Sequence, residues 1–330
     1  MAVSHAFSPK EFQVWIASDA TDAGISGIHA SNMYQLDIDS ASMPSLNVNQ
    51  VLDVRSGAGR TLKDEDFFQD NILRATELSI SGNMHLDAGH KLLLQNICND
   101  VSGDASIATG FVPASQLYGS SIENIASSLT VVIKSSDHSN QRSLEMSGMV
   151  VTNFVLSADA GEEGGRYKFS ATLQSGVKPD LNESSVSAGS NVYANTTNIF
   201  MSSASGLKVF NTDVVMQSFS ATIDSPAVFS GVTSTGYELV SRGAETAVTV
   251  DTQIKYDGNT KGFINSFDTQ TAPLSGNMFV MTNNNAYGID VQNGVFTNVA
   301  YAEADIMMLD CSIKAVDDGA DPLITFDITS

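Results

Sequence analysis

The chain is short of positive charge. Its 330 residues carry 16 lysines and arginines against 37 aspartates and glutamates, a formal net charge of −21. Duplex DNA presents about one negative charge per ~1.7 Å of helix axis, and its binders neutralise that charge with lysine and arginine. The balance argues against a nucleic-acid binder, while leaving room for a protein that DNA passes without being gripped. Cysteine is scarce too: Cys98 and Cys311 form no C-x-x-C and are expected to be buried free thiols. No apolar run is long enough to span a bilayer as a helix, so no membrane partner is expected. The opening MAVSHAFSPKEFQVW lacks a basic region followed by an apolar one, which predicts no secretory signal and assembly in a cytoplasm.

Catalytic signatures are missing as well. There is no G-x-x-x-x-G-K-[ST] loop, no H-E-x-x-H and no G-x-S-x-G elbow. The expectation is a protein that is not an enzyme, with no cofactor and no metal. His85 and His90 flank one strand–helix joint and read as surface histidines, because a related stretch has Lys255 and Thr260 there. LDID at Leu36–Asp39 and KDEDFFQD at Lys63–Asp70 lack the glycine and glutamate of an EF-hand loop and read as solvated acidic surface. Met307 and Met308 read as core filling. The one tryptophan, Trp15, falls in an N-terminal arm.

What the chain does have is repetition. LSISGNMHLDAGHKLLLQNI, Leu78 to Ile97, and VTVDTQIKYDGNTKGFINSF, Val248 to Phe267, share one pattern. Each alternates apolar and polar residues as a half-buried strand does, then reaches an aspartate able to cap a helix, Asp87 or Asp257. Leu93, Leu94 and Ile97, or Phe263, Ile264 and Phe267, follow at helical spacing. IDS at Ile38 before VRSGAG answers IDS at Ile223 before VSRGAE. VVTNF from Val150 answers VFTNV from Val295, each followed by a strand closing on glycine, Gly176 or Gly319. The separations shrink along the chain, so the first copy carries extra length, assigned to GRTLKDEDFFQDNILRATE and to DVSGDASIATGFVPASQLYGSSIENIASS. The serine- and asparagine-rich SGVKPDLNESSVSAGSNVYANTTN places a boundary near Ala188. The expected organisation is therefore mainly β: two tandem sandwich or barrel domains, 1–188 and 189–330, each with a short flanking helix.

This pattern resembles the tail tube, or major tail, proteins of long-tailed phages with flexible tails. The resemblance rests on YQLDIDSASMPSL leading to VRSGAGR, the strand–Asp–helix unit from Leu78, and EMSGMVVTNFVLSADAGEEGGRYKFSATLQSG as a strand pair around an acidic glycine-rich turn. QSFSATIDSPAVF then opens a second round. It implies a β-sandwich with a flanking helix, whose inner strands join those of sister subunits into a closed barrel around a channel. The duplicated form implies homotrimeric rings of pseudo-sixfold symmetry stacked into a tube within the virion. Implied partners are further copies of the chain, the tape-measure, tail terminator and distal tail proteins, and viral DNA in non-specific passage. The polar strand faces supply channel-lining candidates Glu77, Ser79, Ser81, Asn83, Thr249, Asp251, Gln253 and Lys255. The first-copy insertions supply inter-ring candidates Asp64, Asp66, Phe67, Phe68, Phe111 and Tyr118.

Two rivals share the strand-rich, acidic character. An outer-membrane porin-like barrel is disfavoured by the absent signal, by 8% aromatics and by a C-terminal FDITS without an aromatic. A glycan-binding β-sandwich of the tail-tip or decoration type would expose aromatic platforms, which are not evident.

Overall fold

The computed structural model describes residues 12–18, 33–44, 49–52, 67–70, 76–98, 128–135, 143–183, 191–204, 206–233, 236–242, 245–283, 287–302, 306–318 and 323–328. Among these residues the architecture is mainly β with two α-helices. In the first half come β1 (Phe12–Ser18), β2 (Tyr34–Gln35), β3 (Ile38–Ala41), β4 (Asn49–Leu52), β5 (Phe67–Asp70), β6 (Thr76–Asn83), α1 (Ala88–Ile97), β7 (Leu129–Ser135), β8 (Ser143–Asp159), β9 (Lys168–Ser175) and β10 (Asp180–Glu183). In the second half come β11 (Gly206–Val209), β12 (Thr212–Asp213), β13 (Met216–Asp224), β14 (Ala227–Thr233), β15 (Gly236–Arg242), β16 (Ala247–Lys255), α2 (Gly262–Thr269), β17 (Leu274–Asn283), β18 (Tyr287–Ala302), β19 (Met308–Ala315) and β20 (Thr325–Ile328).

The halves repeat strand for strand. The first is ordered β2-β1-β7-β8-β9-β6-β3 with β10 on β8; the second is ordered β12-β11-β17-β18-β19-β16-β13 with β20 on β18. Each also carries a separate hairpin, β4·β5 or β14·β15. The long strands do double duty. Leu144–Met149 of β8 pair with β7, while Val150–Ser157 pair with β9. Tyr287–Gly294 of β18 likewise pair with β17, and Gly294–Ala302 with β19.

Even the irregularities coincide. β8 bulges at Thr152 and β18 at Thr297, and each threonine hydroxyl donates to a carbonyl of the next strand, Thr172 O or Ser312 O. A bulge strands a backbone N–H, which needs a partner when buried. Val151 N donates to Asn96 Oδ1 of α1 at 2.7 Å, and the matching Phe296 N donates to Gln270 Oε1, just past α2, at 3.2 Å. β3 and β13 bulge at Asp39 and Gln217, both against the next strand's end.

These bulges correct the sequence alignment. They set Ser79 on Asp251 and Ser40 on Ser218, whereas the sequence pattern put Ser79 on Thr249 and Ile38 on Ile223. Strand alternation has a period of 2, so the even slip at Ser79 leaves every side chain of that strand on its expected face and goes unseen. Ile38 stands on Met216, and its match to Ile223 is a coincidence of three residues. The excess lies after the strand: Met84 N bonds Tyr167 O as Tyr256 N bonds Met307 O, so His85 and Leu86 have no counterpart before Asp257.

The helix starts differ accordingly. Asp87 caps α1, its Oδ1 accepting from His90 N at 2.9 Å. Asp257 was expected to cap α2, but the residue at that cap is Lys261, and Asp257 instead accepts from Asn259 N and Thr260 N in a preceding turn. The core is continuous through both halves and includes Leu93, Leu94, Ile97, Phe154, Leu156, Phe219 and Phe296. Cys98 and Cys311 are buried free thiols, and burial pushes Cys311 up to about 12. Trp15 is not in an arm: it is buried in β1.

Candidate functional site

β8 and β13 join the halves. Asn153 to Asp159 run opposite Asp224 to Ser218, so eight strands, β3-β6-β9-β8-β13-β16-β19-β18, form one run. One face of this run is core: Leu78, Ile80, Leu173, Phe154, Ala221, Val250 and Ile313 are all buried. The other face is polar. Ser81, Ser170, Val155, Thr222, Thr249 and Lys314 lie in one cross-strand row, and Asp251 and Ser312 sit opposite each other in the next.

The expected polar-face residues fall here. Glu77, Ser79, Asp251 and Lys255 are exposed; Ser81, Thr249 and Gln253 are half-buried. Asn83 is the correction: it is 7% exposed, and its Nδ2 donates to Asp37 Oδ2 at 3.1 Å. Glu77 accepts from Gln174 Nε2, and Asp310 accepts from Gln253 Nε2, both at 2.9 Å. The face's lysines are drawn to carboxylates: Lys168 to Glu162 and Glu163 at 3.7 Å, Lys255 to Asp257 at 4.0 Å, and Lys314 to Glu245 at 3.6 Å. Exposed pairs of this kind add little stability. They do reduce the positive charge presented to anything crossing the face.

The run ends in two strand edges, at β3 and at the second part of β18, with no further strand paired to them among the described residues. In the internal seam Leu156 of β8 faces Ala221 of β13, and they are 0% and 1% exposed. The bulge-matched register puts Tyr301 of β18 in the place of Leu156 and Met43, just past β3, in the place of Ala221. Tyr301 is 53% exposed and Met43 42%. Both residues escaped the sequence reading, since only a register-level alignment of the halves exposes them.

One rim of the run differs sharply between the halves. In the first, residues 191–204 are laid across it as a strap, with bridges Asn198–His85 and Arg166–Phe200. Leu86 N donates to Thr197 O, Tyr167 N to Ile199 O, and Met201 N to Gly165 O. Beneath lies a charged knot. Asp37 Oδ2 meets His85 Nε2 at 2.8 Å and Arg166 Nη2 at 3.0 Å, and Arg166 also donates to Asn198 Oδ1. His85 Nδ1 lies 3.0 Å from Thr197 Oγ1. His85 and His90 are therefore buried, not surface, and Asp37 belongs to this knot, not to a solvated acidic face. Burial works against the Asp37 carboxylate, but hydrogen bonds from His85 and Asn83 and the Arg166 charge hold it below its ordinary value. Burial lowers His85, against the pull of Asp37. Among the described residues no group of three or more His, Cys, Asp or Glu could hold a metal ion.

In the second half the same rim is apolar and open. Lys255 N bonds Val215 O as Asn83 N bonds Asp37 O, so Val215 stands for Asp37, while Ile306 and Met307 stand for Arg166 and Tyr167. Val215, Ile306 and Met307 are 63%, 66% and 53% exposed. Met307 is thus not core filling.

Of the expected inter-ring residues, Phe67 is exposed on β5 and Phe68 lies beside it on the same strand. Asp64, Asp66, Phe111 and Tyr118 lie outside the described residues. The described part of the first extra segment, β5, pairs with β4 in a hairpin whose counterpart in the second half is β14·β15. No helix among the described residues is long and apolar enough to cross a membrane. No known protein-family model matches the chain, and no curated protein matches it significantly.

Proposed function

We propose that the chain is a structural protein whose copies join edge to edge into a closed ring, and that the rings stack into a phage tail tube through which DNA leaves the virion. The observation that carries this reading is the seam. β8·β13 is a working example, inside one chain, of how the last strand of one unit meets the first strand of the next. β18 and β3 repeat the two sides of that seam and end the run, with Tyr301 and Met43 where the seam buries Leu156 and Ala221. An exposed strand edge is a template for pairing, and closing a ring removes it.

Ring closure needs a heterologous contact, which β18 to β3 is. Three copies of the eight-strand run, at ~4.8 Å per strand, close at a backbone diameter of roughly 37 Å before tilt widens it. We take the ring as a homotrimer, with domains 1–188 and 189–330 as its six wedges. The polar face then lines the channel. Its carboxylates and carboxylate-paired lysines offer DNA few phosphate contacts, each of which would add counterion-release affinity and drag. This role needs no catalysis or cofactor, and puts the protein in the tail beside tape-measure, terminator and distal tail proteins. A porin-like barrel fits less well, because it needs an apolar band facing lipid. Here one face of the run is polar and the other is packed core.

Negative-stain microscopy of the purified protein tests the reading. Discrete rings or hollow tubes are expected; a field of monomers at every concentration would overturn it.

A further inference from the structure

The strap over the first rim is the stretch of chain that leads into the second half. The ladder registers say which stretch leads into the first. Lys208 of β11 pairs with Val280 as Trp15 of β1 pairs with Val132, so β11 matches β1 with Lys208 on Trp15. Continued without gaps toward the N-terminus, this alignment puts Ile199, Phe200 and Met201 on Ala6, Phe7 and Ser8. The rim that the strap covers matches Ile306 and Met307, which are open. The first half's rim is covered by a segment that belongs to the half that follows it; the repeat would give the second half's rim a cover of the same origin. For the second half, the half that follows belongs to another copy.

We propose that residues 1–11 of a neighbouring copy lie across Val215, Ile306 and Met307, as residues 191–204 lie across Asp37, Arg166 and Tyr167. The occupant is another chain because, on the ring reading above, the first half beside β18 is the neighbour's. The chemistry of the floor fits the arm. Asp37 and Arg166 need the polar strap groups Thr197 and Asn198, and the His85–Leu86 insertion helps to hold them. Val215 and Ile306 need no polar partner, and the second half lacks that insertion. Phe7, where the strap has Phe200, supplies an apolar side chain instead. In this arrangement Met307 N donates to Ala6 O of the neighbour, as Tyr167 N donates to Ile199 O. Covering an exposed valine, isoleucine and methionine gives the arm contact its driving force.

Paired cysteines test it in the otherwise native chain, whose own Cys98 and Cys311 are buried. Ala6→Cys with Met307→Cys should give a ladder of linked chains on non-reducing electrophoresis, at least tenfold above either single variant. Met43→Cys with Tyr301→Cys, across the ring seam, runs in parallel. A seam ladder with no arm ladder overturns the arm and leaves the ring. No ladder from either pair overturns both, and an arm ladder alone supports the arm contact while removing the ring. A linked monomer without a ladder means the arm folds onto its own chain, which overturns the proposal. Deleting residues 1–8 gives a second readout: the unassembled chain should keep its Tm and assembly should fall at least tenfold. A lowered Tm with unchanged assembly would overturn the proposal.

Discussion

The two rims are built on the same ladder and do opposite things. Around Asp37 and Arg166 the chain invests charge, buries it and ties it to its own linker. Around Val215 and Ile306 it leaves apolar side chains in the open. Two extra residues, His85 and Leu86, mark the difference, because both contact the strap and neither has a counterpart. The same split runs along the sheet: Leu156 meets its partner strand within the chain, and Tyr301 in the matching place does not. Where the halves are joined covalently, the contact is satisfied internally. Where the match falls at the end of the strand run, the contact is left exposed, and on the proposed ring a neighbouring copy carries the other side.

The sharpest way to break the comparison is to substitute the matching residue at both versions of the seam. Tyr301→Asp should abolish assembly while leaving the Tm of the isolated chain within about 2 °C, since exposed substitutions usually change stability by ~0.5 kcal/mol or less. Leu156→Ala, at the internal seam, should cost about 2–5 kcal/mol in chemical denaturation. Equal effects on folding stability would mean that Tyr301 is already packed within its own chain and is not an open counterpart of Leu156.

Next in size is the charged rim. Arg166→Met leaves Asp37 and His85 buried without their guanidinium and should cost about 2–4 kcal/mol. Ile306→Ala at the matching place should cost the isolated chain less than ~0.5 kcal/mol. Urea titration of both variants separates them.

The helix starts give a smaller contrast. Asp87→Ala removes an N-cap that also holds His90 and should cost about 1–2 kcal/mol. Asp257→Ala, which loses hydrogen bonds only in a turn before the helix, should cost measurably less in the same titration.

Acid gives the most local effect. His85 lies below its ordinary 6.5 in the folded chain, so the unfolded or unstrapped chain binds more protons between that lowered value and 6.5. Stability held by neutral His85 is complete above 6.5 and is lost as pH falls through that window. Asp37, held below 3.8, adds a second loss at pH below 3.8. Amide exchange at Tyr167 and Met201, which bond across the strap, should therefore accelerate from pH 7 to 5 after correction for intrinsic rates. Met84 and Tyr256, bonded within the sheet run, should show no such acceleration.

Much of this was legible in the residues. Alternation from Leu78 and Val248 marked two equivalent strands because one face of each must meet the core, and Asp87 marked a helix start through its capping chemistry. Polar-face positions such as Glu77 and Asp251 followed from the same alternation. Register was not legible. A slip of even length preserves alternation, so the match of Ser79 to Thr249 looked sound although the ladders set Ser79 on Asp251. The IDS match at Ile38 and Ile223 was a coincidence of three residues, since the ladders set Ile38 on Met216. The buried knot was hidden for a different reason. Asp37, His85, Arg166 and Thr197 are brought together only by the pairing of distant segments, and no local spacing announces them. Tyr301 and Met43 carry no signal of their own; their meaning comes from Leu156 and Ala221.

A cryo-EM reconstruction of the assembled protein tests the edge-closure claim most directly. The account predicts β18 of one chain beside β3 of the next, with Tyr301 opposite Met43 and the Glu77–Asp251 face turned to a central channel. An assembly held by other surfaces, with both strand edges facing solvent, would contradict it.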